Sequence, residues 1–217
     1  MTINSDNLFA VTKPVYTMWA IIVVLGVLCW LSTRKMKEIP TGLQNIAEKV
    51  VEYLETFFAG VIGVKDARRY FGLFASLFIF IVTCNYASLL PGAGEAFSVP
   101  TADLSVTAGL ALVSFFMTHT IGFRRQGFSG YLKSFIKPFI IMLPFNLVDL
   151  VVRPASLALR LYGNIYGEEM VTAQLRKLFP ILLPLVMQIL SLLFCFIQAM
   201  VFTMLTAVYV QEAIGEE

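Results

Sequence analysis

Arg160 lies within a stretch, residues 138–175, that is otherwise largely apolar. A guanidinium keeps its proton under any biological condition. Setting one at the depth of a bilayer costs ~3 kcal/mol on insertion scales. Such a charge therefore marks a functional site and needs a counter-charge. Projected onto a helix at 100° per residue, Asn146, Asp149, Arg153, Arg160 and Asn164 fall within an arc of about 60°, a single polar stripe on an apolar helix. Asp149 and Arg153 are spaced i,i+4 and are expected to pair with each other. Arg160 has no such partner on its own helix, because Glu168 is rotated about 80° away and Glu169 lies on the opposite face.

Ser156, Gly163 and Gly167 share the face of Arg160, and the two glycines form a small-xxx-small pair that lets another helix come close. The inference is a helix from elsewhere, carrying the missing negative charge. Glu168 and Glu169 are adjacent carboxylates about two turns beyond Arg160. Buried, such groups relay protons; at an interface, they simply reach headgroup water. Further along the chain Ser191, Gln198 and Tyr209 fall within about 40° of one another on a second apolar helix. Gln198 is placed either to bond Arg160 or Asn164 across a hairpin or to serve as interhelical glue.

The elements that must hold these residues follow from composition and charge. Of 217 residues 58% are hydrophobic and only 14% charged, with a mean hydropathy of +0.80. That is too little charge to cover a soluble surface, so the chain is expected to be an all-α integral membrane protein. Residues 14–33, 70–94 and 104–123 are uncharged apart from Asp103 just outside the third, and each is long enough for one span. Residues 42–62 alternate apolar and acidic faces at helical spacing. They are expected to form an amphipathic helix on the membrane surface or against another subunit, begun by a capping box of Thr41 and Gln44. Residues 178–211 run without a charge, and as one helix would be about 51 Å long against a hydrocarbon core of roughly 30 Å. The economical arrangement is a strongly tilted hairpin of 138–175 with 178–211, kinked near Pro180 and Pro184, making about five membrane helices and one surface helix in a single membrane domain, 1–217.

Orientation follows from lysine and arginine counts. Seven fall in 34–69 and four in 124–137, whereas 95–103 has none and carries Glu95 and Asp103. The first two segments are expected in the cytoplasm, the third and the N-terminus outside, and the C-terminal Glu212, Glu216 and Glu217 inside. No cleavable leader is apparent, so the first apolar run is read as an uncleaved span. Cys29, Cys84 and Cys195 stand singly and are expected to be reduced packing residues. His119, the one histidine, is read as a helix-end residue near Arg124. No His-Glu-x-x-His or Gly-x-Ser-x-Gly motif is present, which argues against an intramembrane enzyme. No metal, cofactor or nucleic-acid partner is implied.

Several of these residues carry a family resemblance. The run Leu159–Arg160–Leu161–Tyr162–Gly163–Asn164–Ile165–Tyr166–Gly167–Glu168–Glu169, then Ile197–Gln198–Ala199 and Tyr209–Val210–Gln211–Glu212–Ala213, closely resembles subunit a of F-type ATP synthases. So do Pro40–Asn45, Asn85 with Leu89–Gly92, and Pro100–Thr107, so that the likeness covers nearly all of the chain after about residue 38. It implies a non-catalytic stator subunit in the bacterial inner membrane, beside a ring of c subunits each bearing an ion-binding carboxylate. Peripheral-stalk b subunits and the rest of the synthase would be its other partners. Two offset half-channels would carry protons, or in a rarer version sodium, to and from the ring. On this resemblance Arg160 is the arginine that faces the ring. Asn164, Glu169 and Gln198 are polar positions near it and in the channel path, and Asp103 is the acid at the outer entry. Many members carry His or Glu where this chain has Ser191, and Glu168 is expected to take over the relay role that Ser191 cannot perform. A self-contained secondary transporter, with the polar stripe as its substrate site, is the alternative from another class; the lack of an internal repeat weakens it.

Overall fold

A computed structural model describes residues 13–34, 42–90, 99–134, 143–178 and 182–215. Several residues named above lie outside these: Pro40 and Thr41, residues 91–94, Glu95, Lys137, residues 138–142, Pro180, Glu216 and Glu217. The described residues are all helical or turn. The helices are α1 (Lys13–Thr33), α2 (Leu43–Ile62), α3 (Val64–Tyr86), α4 (Leu104–Ser134), α5 (Leu143–Leu178) and α6 (Leu182–Ile214). Single 3₁₀ turns at Ala87–Leu89 and Pro100–Ala102 close the end of α3 and lead into α4.

Among the described residues, four helices have the length and apolar content to cross a membrane: α1, α3, most of α4, and α6. The fifth long helix, α5, is excluded by its own composition, for it carries Asp149, Arg153, Arg160, Glu168, Glu169, Arg176 and Lys177. α4 and α6 cover one flank of α5, and α6 supplies partners to two of those charges, Glu212 to Arg153 and Ser191 to Glu168. α1 is apolar all round and nearly bare, with Trp19 and Trp30 exposed, as expected for a helix solvated by lipid.

The core lies where α2, α3 and α6 meet. Leu54, Phe58 and Ile62, one turn apart along α2, are buried there, and the Phe58 ring lies 5.2 Å from that of Phe74 on α3. The second half of the amphipathic helix's apolar stripe is thus taken up inside this chain, while Ile46, Val50 and Val51 of its first half stay exposed. α2 and α3 join at one residue. Gly63 adopts φ 82°, ψ 154°, donates its N–H to Ala59 O, and accepts the N–H of Ala67. That backbone conformation is essentially open only to glycine.

Some expectations are corrected. The capping box expected of Thr41 and Gln44 falls partly outside the described residues; the cap residue of α2 is Gly42, and Gln44 donates to Glu48 on the next turn. Pro184 does not kink α6, because it falls in the first turn, where no intrahelical N–H is required. His119 is not at a helix end. Helix α4 continues past Arg124 to a break at Gly127 (φ 72°, ψ 163°), and the following turn folds back so that Tyr131 packs on Phe123 and His119. Charge ends an apolar run, but only backbone geometry ends a helix.

α5 and α6 form an antiparallel hairpin. The buried face of α6 repeats small residues at helical spacing (Ser191, Cys195, Ala199, Thr203, Thr206, Ala207), which lets α3, α4 and α5 approach it closely. Each threonine bonds back to the carbonyl four residues earlier, Thr203 to Ala199 and Thr206 to Phe202, so neither hydroxyl is left bare in an apolar interior.

Candidate ion-translocation site

Arg160 projects from the outward flank of α5 and is exposed, flanked by exposed Leu159 and Gly163. No carboxylate among the described residues pairs with it. A Cβ added at Gly163 or Gly167 would meet nothing within 4 Å. The small-residue face therefore exists, and no helix among the described residues occupies it. Arg160, Ser156, Gly163 and Gly167 together present one cation on an open, shallow, otherwise apolar surface.

Inward and one turn on, the polar groups change character. Asn164 Nδ2 and Gln198 Nε2 are buried without a protein partner. The cross-hairpin bond expected of Gln198 is not made by either amide nitrogen. Glu168 reaches α6, where the Ser191 hydroxyl donates to its Oε1, while Oε2 is buried without a partner. Glu169 is half-buried with no such contact. Ser191 also lies 4.0 Å from the Cys195 thiol. The thiol contacts Asn85 O at 3.7 Å, and Asn85 Nδ2 donates to Cys195 O at 3.1 Å. A line of polar atoms therefore runs from Asn85 on α3, through Cys195 and Ser191 on α6, to Glu168 on α5. Buried polar atoms that find no protein partner are where water or a passing ion is bonded.

The turn before α4 sits at this same end, because Val99 packs with Ile165 and Cys195. Asp103 caps α4 there, its Oδ1 accepting the Ser105 N–H at 2.8 Å, and it stays partly exposed.

A second polar region lies on the other side of Arg160, two turns back along α5. The Asp149–Arg153 pair forms as expected, at 3.4 Å, but it is only half of the arrangement. Arg153 also pairs with Glu212 at the end of α6 and lies over the Tyr209 ring, 4.9 Å from its centre. These residues line a cavity of about 300 Å³ between α4, α5 and α6, with Asn146, Ser114 and His119 on its walls. Asn85, Cys195 and Glu212 were not picked out from side-chain spacing. A solitary Asn inside the apolar α3 is the one signal that pointed to the first of them.

One cation facing outward between two separate internal polar regions is not an enzyme's constellation, and comparison with known proteins agrees. The sequence pattern of the family described as ATP synthase A chain matches residues 15–211. The chain belongs to the ATP synthase A chain family. It is similar to ATP synthase subunit a of Moorella thermoacetica, 39% identical over 201 residues that cover 91% of this chain and 90% of the relative. ATP synthase subunit a 1 of Syntrophotalea carbinolica is 41% identical over 202 residues, covering 91% and 84%. ATP synthase subunit a of Geobacter sulfurreducens is 37% identical over 202 residues, covering 91% and 86%. Members of the ATP synthase A chain family are non-catalytic membrane subunits of the Fo sector.

Proposed function

We propose that the chain is the stator of a rotary ATP synthase, guiding protons to and from a ring of c subunits through two half-channels that meet at Arg160. The observation that carries this reading is the unpaired, outward-facing guanidinium of Arg160 beside the open Gly163–Gly167 face. A rotor helix bearing a carboxylate would fit that surface closely and supply the absent charge.

The physics then follows. A positive charge within a few ångströms lowers the pKa of a rotor carboxylate and favours release of its proton. A protonated carboxyl can face lipid, whereas a bare carboxylate is stable only near Arg160. Each charge crossing 100 mV carries about 2.3 kcal/mol, and that asymmetry converts the gradient into directed rotation. Arg160 also repels a proton moving straight between the two channels.

The line Asn85–Cys195–Ser191–Glu168, with Asp103 at its mouth, serves as the outer half-channel. The cavity around Asp149, Arg153 and Glu212 serves as the inner one. Glu168 holds the proton-accepting position, and Ser191 orients it through the hydroxyl it donates. Asn164, one turn from Arg160, stands closer to the exchange point, with Gln198 on the facing helix and Glu169 further along the channel path. The basic segments 34–69 and 124–137 face the cytoplasm, which places the N-terminus outside and the C-terminus inside. Besides the ring, peripheral-stalk b subunits are its partners. Proton coupling is favoured over sodium because the adjacent carboxyls of Glu168 and Glu169 suit a proton relay, while the deciding ion ligands belong to the ring subunit.

The test is Arg160→Ala in the intact synthase reconstituted into vesicles. ATP synthesis and ATP-driven pumping are both expected to vanish while assembly persists. Intact pumping by that variant would overturn the reading.

A further inference from the structure

We infer that a groove between α1, α3 and α4, remote from Arg160, seats an acyl chain of an anionic phospholipid whose headgroup is held by Arg34, Arg69 and Arg124. The groove has a volume of about 430 Å³, within the range of small-molecule sites. Leu25, Leu77, Phe80, Val113 and Met117 line it, and its polar contributions are limited to Ser76, Ser114 and the Cys29 thiol. It opens outward, for Ile22, Val113 and Met117 on its rim are about half exposed.

The headgroup assignment comes from helix register. Ile21 and Leu25 of α1 pack with Phe80 and Cys84 of α3 and with Ala87 just beyond it, so these helices are antiparallel, with Leu25 level with Phe80. Continuing that register brings Arg34 level with Phe71. Between α3 and α4 the register is set by Arg125 and Asp66, paired at 3.4 Å, which puts Arg124 level with Ala67. Arg34, Arg69 and Arg124 therefore lie within about 6 Å of one another along the α3 axis, all just beyond the same end of the groove.

Their charge is also unspent. Arg68 is paired with Glu55 and Arg125 with Asp66. Arg34 and Arg69 make ring contacts only, with Trp30 at 4.8 Å and Tyr70 at 5.7 Å, and Arg124 is exposed with no acidic partner among the described residues. Three exposed guanidiniums with no acidic partner among the described residues, over an apolar slot, complement a phosphate joined to a hydrocarbon tail. An apolar helix of a neighbouring subunit would fill the slot equally well, but would leave those charges without a partner.

The experiment uses the intact synthase in phosphatidylcholine vesicles doped with phosphatidylglycerol bearing a photoreactive group near its acyl end. After illumination, label on peptides containing Cys29, Leu77 or Met117 is expected to exceed that from a phosphatidylcholine probe with the same chains. Arg34→Gln, Arg69→Gln and Arg124→Gln together should bring the anionic probe down to the zwitterionic level, with roughly fivefold weaker binding for each charge removed. Gly26→Phe should abolish labelling by both probes, since a side chain there meets nothing within 4 Å and can enter the slot. Equal labelling by the two lipids in the native chain would overturn the inference. So would absence of lipid label together with crosslinking of Cys29 to another subunit or to a second copy of this chain. None of these readouts depends on proton flow, so they stand or fall separately from the stator reading.

Discussion

The Ser191 hydroxyl on α6 donates to the Glu168 carboxylate on α5, two residues 23 positions apart that the hairpin brings into contact. A serine cannot exchange a proton near neutral pH, but it can hold a carboxylate in one orientation while leaving the second oxygen free. Glu168 Oε2 is that free oxygen, buried and without a protein partner.

Removing the carboxylate should therefore matter more than removing the hydroxyl. Glu168→Gln is expected to slow proton-driven ATP synthesis severely, whereas Ser191→Ala should cost about tenfold or less, the scale of one hydrogen bond. The two changes combined should be no worse than Glu168→Gln alone, since the serine acts only through that carboxylate. Unchanged translocation in Glu168→Gln, with complete loss in Glu169→Gln, would show that the relay runs through Glu169.

The open face beside Arg160 separates folding from coupling. Gly163→Ala should leave the thermal stability of the subunit unchanged or slightly raised, because a Cβ meets nothing and alanine favours helix by about 1 kcal/mol. Gly163→Leu should be equally tolerated in the fold yet depress ATP synthesis by the assembled enzyme, as its bulk fills the space a rotor helix needs. Full activity of Gly163→Leu in vesicles would argue that no helix passes there.

Gly63 tests the corner between α2 and α3. Its Cβ position is open, so Gly63→Ala introduces backbone strain and no clash. A loss of about 1–3 kcal/mol is expected, readable as a lowered thermal midpoint of the purified synthase's subunit a. Gly60→Ala, three residues earlier within the helix and equally open, should be neutral or stabilising.

The Arg153 cluster should behave as a partly solvated network. Glu212→Gln removes one of two acids around a guanidinium whose side chain is 35% exposed, and should cost no more than about 1 kcal/mol. Asp149→Asn with Glu212→Gln leaves Arg153 facing the cavity unpaired. That double variant should lower both stability and the rate of ATP-driven pumping by more than the two single changes summed.

Much of this was legible in the residues. The apolar runs announced membrane helices because lipid offers the backbone no hydrogen bonds, which leaves the helix as the solution for each segment. The polar stripe on α5 and the isolation of Arg160 from acids on its own helix follow from helical geometry alone, and the glycines beside it already pointed to a close-passing neighbour.

Other features depended on contacts that no spacing rule can express. The sequence left α2 either on the membrane surface or against another subunit, because an amphipathic stripe has the same pattern against any apolar surface; Phe58 against Phe74 shows instead that its second half packs within the chain. The partner of Glu168 and the second acid on Arg153 come from another helix, so they depend on the register of the hairpin. The line through Asn85 and Cys195 joins positions 110 residues apart. From the sequence alone came which residues are polar where lipid would forbid it, since that is a matter of solvation. Which of those groups touch, and that Arg160 touches none, was decided by the packing of α3, α4 and α6 around α5, since contact between helices is set by their relative position and not by the residues of either one.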